Sequence, residues 1–184
     1  MVGMMTPLGV PMLLDLRQMH GAHDRLVRTY AASAFDASQE EYAVAADVAL
    51  ALDVHREGRR YRLVGELRTT LELSCGRCLN RFTQPVELSF ALLYLPYADN
   101  RGEGEIEIQE EDLATAYYRE DQIDLGQLMR EQVFLVLPMK PLCGDGCRGL
   151  CPVCGINLNE GRCGCVHAWE DPRWASLKGY DSRR

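Results

Sequence analysis

The chain has 184 residues, of which 47% are hydrophobic and 26% are charged. This length suits one domain, or one domain with a small appendage, and the hydrophobic fraction excludes a chain that is disordered throughout. The net charge of −7 argues against sequence-independent adhesion to nucleic acid or to an anionic membrane, although the charge is unevenly distributed along the chain.

The N-terminal segment, MVGMMTPLGVPMLLDLRQ, has neither a basic region ahead of its apolar part nor a small-residue cleavage site, so it does not resemble a secretory signal. The longest apolar run, VFLVLPM at residues 133–139, is too short to span a bilayer. We therefore expect a cytoplasmic protein with no membrane partner. The reducing conditions of that compartment disfavour structural disulfides.

Alternating apolar residues predict a β-rich first half. Two short strands are predicted in MLLDLRQ and DRLVRTY, and we interpret the nearby His20 and His23 as solvent-exposed loop residues. From residue 42 the alternation becomes regular, first in YAVAADVALALDVH and then in YRLVGELRTTLEL, with Gly58 in the turn between them. This pattern predicts an antiparallel hairpin with one buried face.

A third alternating run and one helical pattern follow. RFTQPVELSFALLYL places apolar residues from Phe82 to Tyr94 on one face, and Pro85 predicts that this strand lies at an edge or is bulged. After an acidic segment, IDLGQLMREQVFLVLPM predicts a helix that begins with a capping box of Asp124 and Gln127 and ends before a proline.

Together these elements predict an α+β fold: an antiparallel β-rich body, built as a meander or a small barrel, with one packed helix and a C-terminal zinc-knuckle loop. We assign residues 1–122 to the body, with its Cys75/Cys78 knuckle and acidic linker. Residues 123–184 comprise the helix, the cysteine-rich segment and the tail, and we expect both parts to pack as one domain.

Eight cysteines carry the chemistry, and six of them lie within residues 141–165. Pairs separated by two residues, as in CGRC and CPVC, are typical of zinc knuckles, in which both thiolates reach one tetrahedral ion. Thiol redox catalysis is disfavoured because Cys75 and Cys78 join two strands and are not followed by a helix. The predicted metal ligands are Cys75, Cys78, Cys143, Cys147, Cys151, Cys154, Cys163 and Cys165.

The spacing predicts at least one zinc ion and allows two. One arrangement has two tetrathiolate sites, with the last four cysteines forming one and the first four forming the other. In the alternative, the Cys75/Cys78 and Cys151/Cys154 knuckles share one ion, as in a zinc ribbon. The sequence leaves both open. Four thiolates leave no open coordination position, so we expect a structural rather than a catalytic metal and interpret His167 as a tail residue.

Arginines are concentrated in the predicted hairpin and its knuckle. Residues 56–81 contain seven arginines and three glutamates, a net charge of +4. Contacts to RNA phosphates are predicted for Arg59, Arg60, Arg62, Arg77 and Arg81. Stacking on unpaired bases is predicted for Tyr61, Phe82 and the tail tryptophans, Trp169 and Trp174. The alternative is an ordinary charged strand face.

Several motifs together resemble one family. They are LSCGRCLNRF, IDLGQLMREQVFLVLPMKPLC, GLCPVCGINLNEGRCGC and DPRWASLK, and the similarity extends over about residues 10 to 180. The chain is similar to the YceD-like family, the bacterial large ribosomal RNA subunit accumulation proteins and their plastid relatives. This resemblance implies a non-enzymatic factor needed for that RNA to accumulate during ribosome assembly, with the eight cysteines as metal ligands and no catalytic residues.

Two functions are compatible with these features. The first is a zinc-binding factor whose partner is ribosomal RNA or a pre-ribosomal particle. The second is a zinc-stabilised interaction module that docks a basic ribosomal protein through the acidic segment of residues 99–121, which holds nine acidic residues against two arginines. A metalloenzyme is disfavoured because no histidine or glutamate stands at ligand spacing.

Overall fold

A computed structural model describes residues 12–19, 21–35, 42–99, 114–166 and 173–174. In this part of the chain the strands are β1 (Leu13–Asp15), β2 (His23–Tyr30), β3 (Tyr42–Val44), β4 (Val48–Glu57), β5 (Arg60–Ser74), β6 (Arg81–Pro96), β7 (Thr115–Tyr118) and β8 (Gln122–Asp124). The α-helix is α1 (Leu125–Val136), and short 3-10 helices cover Leu16–Gln18, Ala32–Ala34 and Tyr97–Asp99.

The main sheet has the order β2-β4-β5-β6-β7, and β3 pairs with the far end of β5. Strands β4, β5 and β6 form the predicted antiparallel meander, joined at one end by the turn at Gly58 and at the other by the Cys75/Cys78 loop. Strand β7 runs parallel to β6 and pairs with its last four residues, Leu93–Pro96. The sheet is therefore mixed, and the fold class predicted from the sequence is confirmed.

One face of the sheet forms the core. Along β5 every second residue from Tyr61 to Leu73 is buried, and Leu63, Leu67 and Leu71 are fully enclosed. Gly65 belongs to the same row, and a Cβ there would lie 2.5 Å from the ring of Phe90. A side chain at this position would displace the ring, so the close packing of β5 on β6 depends on glycine.

Helix α1 packs its apolar side chains into the same core, where Leu128 and Met129 are buried. Asp124 caps the helix, since its Oδ1 accepts a hydrogen bond from the Gln127 amide at 2.9 Å. The Gln127 side chain donates instead to Glu131 Oε1 at 2.8 Å, so only half of the predicted capping box forms. The helix ends at Val136, just before the proline that was expected to end it.

Two further expectations from the sequence concern Pro85 and the domain boundary. Pro85 pairs with Thr70 in a stretch of β6 whose opposite side has no strand partner among the described residues, as expected of an edge. The domain boundary placed after residue 122 falls inside β8, which pairs with β1, and the division itself stays a prediction. In the described part of the chain, no helix combines the length and the apolar character needed to cross a bilayer.

Candidate metal centres and the arginine surface

The two CxxC loops adopt the same local geometry. In the first, the Leu79 amide donates to the Cys75 carbonyl at 3.0 Å, and in the second the Gly155 amide donates to the Cys151 carbonyl at 2.8 Å. The residue after each pair has a positive φ, 62° at Leu79 and 74° at Gly155. Glycine adopts this conformation readily, whereas Leu79 is held in it by the loop.

Backbone amides inside both loops point at sulfur. The Arg77 amide lies 3.5 Å from Cys75 Sγ, and the Val153 amide lies 3.4 Å from Cys151 Sγ. Such amide–sulfur contacts stabilise thiolate charge. Each loop therefore presents a sulfur prepared for the thiolate state that metal binding requires.

The first cluster brings together four cysteines from distant parts of the sequence. The sulfurs of Cys75, Cys78, Cys143 and Cys147 all lie within 4.8 Å of one another. The Cys75–Cys147 and Cys78–Cys143 sulfur distances are both 3.7 Å. A tetrahedral zinc tetrathiolate, with zinc–sulfur bonds of about 2.3 Å, separates its sulfurs by roughly 3.8 Å. These distances are too long for disulfides, and the cluster can hold a metal ion.

Contacts between the first knuckle and the segment after α1 assemble this cluster. The Gly76 amide donates to the Pro141 carbonyl at 2.8 Å, and the Leu150 amide donates to the Arg77 carbonyl at 3.1 Å. Cys75 is fully buried and Cys78 is nearly so, whereas Cys143 is exposed. The first cluster therefore joins the cysteine-rich segment to the β5–β6 end of the sheet.

The second cluster lies wholly within the cysteine-rich segment. Its members are Cys151, Cys154, Cys163 and Cys165, whose sulfurs also lie within 4.8 Å of one another. Cys151 is buried, and the other three are partly or fully exposed. The structure thus brings together the two groups of four. The alternative grouping, in which the Cys75/Cys78 and Cys151/Cys154 knuckles share an ion, is not the one found.

Asn159 connects the two clusters, and sequence reasoning missed it. It lies in the loop between Cys154 and Cys163, yet its Nδ2 lies 3.4 Å from Cys147 Sγ in the first cluster. The Arg148 amide donates to Asn159 Oδ1 at 2.8 Å, which fixes the orientation of the side chain. The only sequence signal for this contact is an asparagine-rich stretch, INLNEG, between the knuckle and the final cysteines.

The thiols of each cluster differ in acidity. Hydrogen bonds from the backbone of Cys78, with further ones at Cys143 and Arg77, lower the pKa of Cys75 to about 6. Backbone hydrogen bonds from Cys154 and Val153 lower the pKa of Cys151 to about 6 in the same way.

Two other thiols are shifted the opposite way. Hydrogen bonding with Cys147, and then with Cys78, raises the pKa of Cys143 to about 12, and hydrogen bonding with Cys154 raises the pKa of Cys165 to about 12. A cluster that already holds one thiolate resists a second negative charge. A bound cation would relieve this repulsion, so the donor set fits a divalent metal.

The predicted RNA-binding arginines fall into two groups. Arg77 donates through Nη1 to the Cys147 carbonyl at 3.1 Å, and Arg81 forms an ion pair with Glu72, so both have structural partners. Arg59, Arg60 and Arg62 are exposed, and none of the three forms an ion pair with another described residue. The second group is therefore available for an external anion.

The predicted stacking residues are largely unsuited to that role. Tyr61 is 4% exposed and Phe82 packs between the core and the first cluster, so neither offers a free ring face. Trp174 is exposed, and Trp169 and His167 lie outside the described residues. The prediction for Tyr61 was wrong because its alternation with Leu63 already placed it on the inner face of β5.

The acidic segment of residues 99–121 is not one continuous loop. Residues 100–113 lie outside the described part of the chain, but residues 115–118 form β7 and Tyr118 is buried. Deleting the whole segment would therefore remove a strand of the sheet, and a test of acidic docking has to leave β7 intact.

Comparison with known proteins supports the resemblance noted in the sequence. The profile of a family described as "Large ribosomal RNA subunit accumulation protein YceD" matches residues 63–179, which include β6, α1 and all eight cysteines. No solved structure matches the chain.

Relatives occur in plants and mycobacteria. The chain is 26% identical over 159 residues to the Arabidopsis thaliana protein named large ribosomal RNA subunit accumulation protein YCED homolog 1, chloroplastic, a match covering 75% of this chain and 50% of that protein. It is 37% identical over 103 residues to an uncharacterized protein of Mycobacterium tuberculosis, covering 56% of this chain and 47% of the relative. The chain spans about half the length of the curated relatives it matches.

Proposed function

Because the chain belongs to the family of large ribosomal RNA subunit accumulation proteins, we propose that it is a non-catalytic, zinc-stapled factor that supports accumulation of this RNA by binding it. The family match implies the role in accumulation of that RNA. Zinc as the metal, RNA as the direct partner and a cytoplasmic location are the finer parts of the proposal. They rest on the residues described above.

Zinc is proposed because each cluster offers four sulfurs and, within the described ranges, no oxygen or imidazole ligand. Thiolate-rich tetrahedral sites favour zinc over the hard cations magnesium and calcium. With all four positions taken by sulfur, a water molecule has no place on the metal, so the ions act in folding. The first ion would fix the cysteine-rich segment to the sheet, and the second would order the loop that carries Asn159.

One observation supports the proposal of direct RNA binding. Arg60 and Arg62 stand exposed on the same side of β5 without ion-pair partners among the described residues. Arg68 lies further along that side, but Glu87 and Glu66 lie 2.7 and 3.5 Å from its guanidinium. Unpaired guanidinium groups make two charge-assisted hydrogen bonds to a phosphate, a contact that a neutralised arginine cannot offer equally well.

Charge reversal at this pair is the test of RNA binding. The double variant R60E/R62E is expected to bind a transcript of the large-subunit ribosomal RNA about tenfold more weakly, and to reduce the salt slope of binding by roughly one to two. The control R17E/R68E changes the net charge equally at arginines that already have carboxylate partners. Equal binding by the wild type and R60E/R62E in filter-binding titrations would contradict the proposal.

Zinc affinity is expected to fall steeply as the pH is lowered. In the metal-free chain the pKa values of Cys78 and Cys143 are raised above the ordinary 9.0, so both thiols are protonated at neutral pH. Each ion entering the first cluster must then displace at least two protons, and the affinity constant should drop about a hundredfold or more per pH unit below about pH 8. Competition titrations against a chelator measure this slope, and a tenfold change per unit would be too small.

Docking of a basic ribosomal protein stays a prediction. Most of the acidic residues proposed to carry it lie within residues 100–113, outside the described part of the chain. The described geometry favours RNA as the partner.

A further inference from the structure

An exposed tyrosine, Tyr117, shares the outer face of the sheet, the face turned away from the core, with Arg60 and Arg62, which have no ion-pair partner among the described residues. Arg62 pairs across β5 and β6 with Leu93, which pairs across β6 and β7 with Thr115. Since alternate residues of a strand share a face, Tyr117 lies on the same face as Thr115 and the two arginines. Tyr117 is 39% exposed, whereas the intervening Ala116 packs on the core.

Tyr117 belongs to a small aromatic group at this edge. The ring of Tyr97, in the 3-10 helix after β6, meets it edge-on with centroids 6.4 Å apart. The guanidinium carbon of Arg119 lies 3.6 Å from the centre of the Tyr97 ring. Tyr97 is 48% exposed, so the pair leaves aromatic surface open to solvent while the cation lies over one ring face.

Contacts made by Tyr118 fix the position of this aromatic group. Tyr118, next to Tyr117 in β7, is buried, packs edge-on against Tyr61 with centroids 5.5 Å apart and donates its hydroxyl to the Arg59 carbonyl at 3.1 Å. This hydrogen bond ties β7 to the turn between β4 and β5. The tyrosines and arginines are therefore held in a constant relative position, which lowers the entropy lost when a ligand binds.

A cleft of about 400 Å³ lies between this aromatic group and the β4–β5 turn. Its lining combines cations, aromatic rings and carboxylates. The cations are Arg56, Arg59 and Arg119, the rings include Tyr97 and Tyr118, and the carboxylates are Glu120 and Asp121. The carboxylates would repel a phosphate placed next to them, but they accept hydrogen bonds from base amino groups or ribose hydroxyls. The cleft thus suits a base or a sugar, and the neighbouring arginines suit the phosphates.

We propose that this surface binds an unpaired stretch of RNA, with bases stacked against Tyr97 and Tyr117 and phosphates held by Arg60 and Arg62. The inference rests on the proposed RNA binding and adds the class of RNA and the residues that recognise it. A duplex keeps its bases stacked on each other and presents no ring face, so only an unpaired segment can use the tyrosines.

The test compares a fluorescent twelve-nucleotide single strand with the same sequence as an RNA duplex. Tyr97→Leu and Tyr117→Leu are each expected to weaken single-strand binding about five- to a hundredfold while leaving the salt slope unchanged, because no charge is lost. The control Phe134→Leu removes an exposed aromatic ring on α1, which has no predicted part in RNA binding, and should bind like the wild type. Melting temperature and metal content verify that each variant is folded.

The possible outcomes distinguish failure of the stacking site from failure of the proposed RNA binding. Wild-type binding by both tyrosine variants, or equal affinity for duplex and single strand, would overturn the stacking site. If R60E/R62E loses RNA binding and the two tyrosine variants keep it, the protein binds RNA without using the tyrosines. If the wild type binds neither probe nor the ribosomal RNA transcript, both the site and the proposed function fail.

Discussion

Replacing Cys75 with serine is expected to lower the zinc content of the purified chain from two ions to one and to lower its melting temperature by about 10 °C or more. Cys75 is fully buried, and the first cluster joins the β5–β6 loop to the segment that follows α1. Structural zinc sites in small peptides contribute about 10–16 kcal/mol of binding free energy, and this energy stabilises only the folded state. The variant would also leave the buried thiols of Cys78 and Cys147 and the exposed thiol of Cys143 facing a hydroxyl.

A matched variant in the second cluster distinguishes the two sites. Cys165→Ser removes a partly exposed ligand from a cluster that lies within the cysteine-rich segment, so it should lose the other ion with a smaller fall in melting temperature. Elemental analysis gives the stoichiometry, and thermal melts with and without a strong chelator give the stability. A wild-type chain that contains no metal and melts identically in chelator would contradict both expectations.

The strands were predictable because burial on one face imposes a period of two. Leu63, Leu67 and Leu71 had to face the same way, and the structure encloses all three. The same rule already placed Tyr61 inside, so an RNA-stacking role for it conflicted with the pattern that identified the strand. A residue assigned to a buried row cannot also present its ring to a ligand.

Strand β7 was not predictable from local sequence. TAYY is four residues long, lies within the acidic segment of residues 99–121 and alternates too briefly to give a period. Its parallel pairing with the last residues of β6 depends on where the intervening chain returns, which is a tertiary property. The aromatic group on the outer face was missed for this reason, because only that pairing places Tyr117 on the same face of the sheet as Arg60.

The sequence could not predict which cysteines lie in the same cluster, for a related reason. Cys78 and Cys143 are separated by 65 residues, and their sulfurs meet because the chain after α1 turns back onto the first knuckle. Local spacing defines each CxxC pair but gives no information on which pairs meet. The Asn159 contact with Cys147 is hidden in the same way, since it spans the boundary between the two clusters.

Asn159→Leu is expected to weaken metal binding at the first cluster about ten- to a hundredfold, the usual cost of removing a hydrogen bond to a metal ligand. The Asn159 amide donates to Cys147 Sγ, and four thiolates around a divalent ion leave two negative charges that such donors stabilise. Asn80→Leu is the control, because the Asn80 side chain donates to Glu160 in the same loop at 2.9 Å and not to a sulfur, and the substitution keeps the Asn80 backbone amide that faces Cys78. It should change the affinity less than about threefold.

Cobalt(II) is the probe for this measurement, since its thiolate charge-transfer absorption reports four-sulfur coordination during a competition titration. The Asn159→Leu effect should shrink in a Cys163→Ser/Cys165→Ser background, where no ion orders the loop that presents Asn159 to Cys147. That outcome would mean that filling the second cluster strengthens the first, and reciprocity requires the same factor in the opposite direction. An unchanged cobalt affinity in Asn159→Leu would leave the clusters independent and reduce Asn159 to a loop residue.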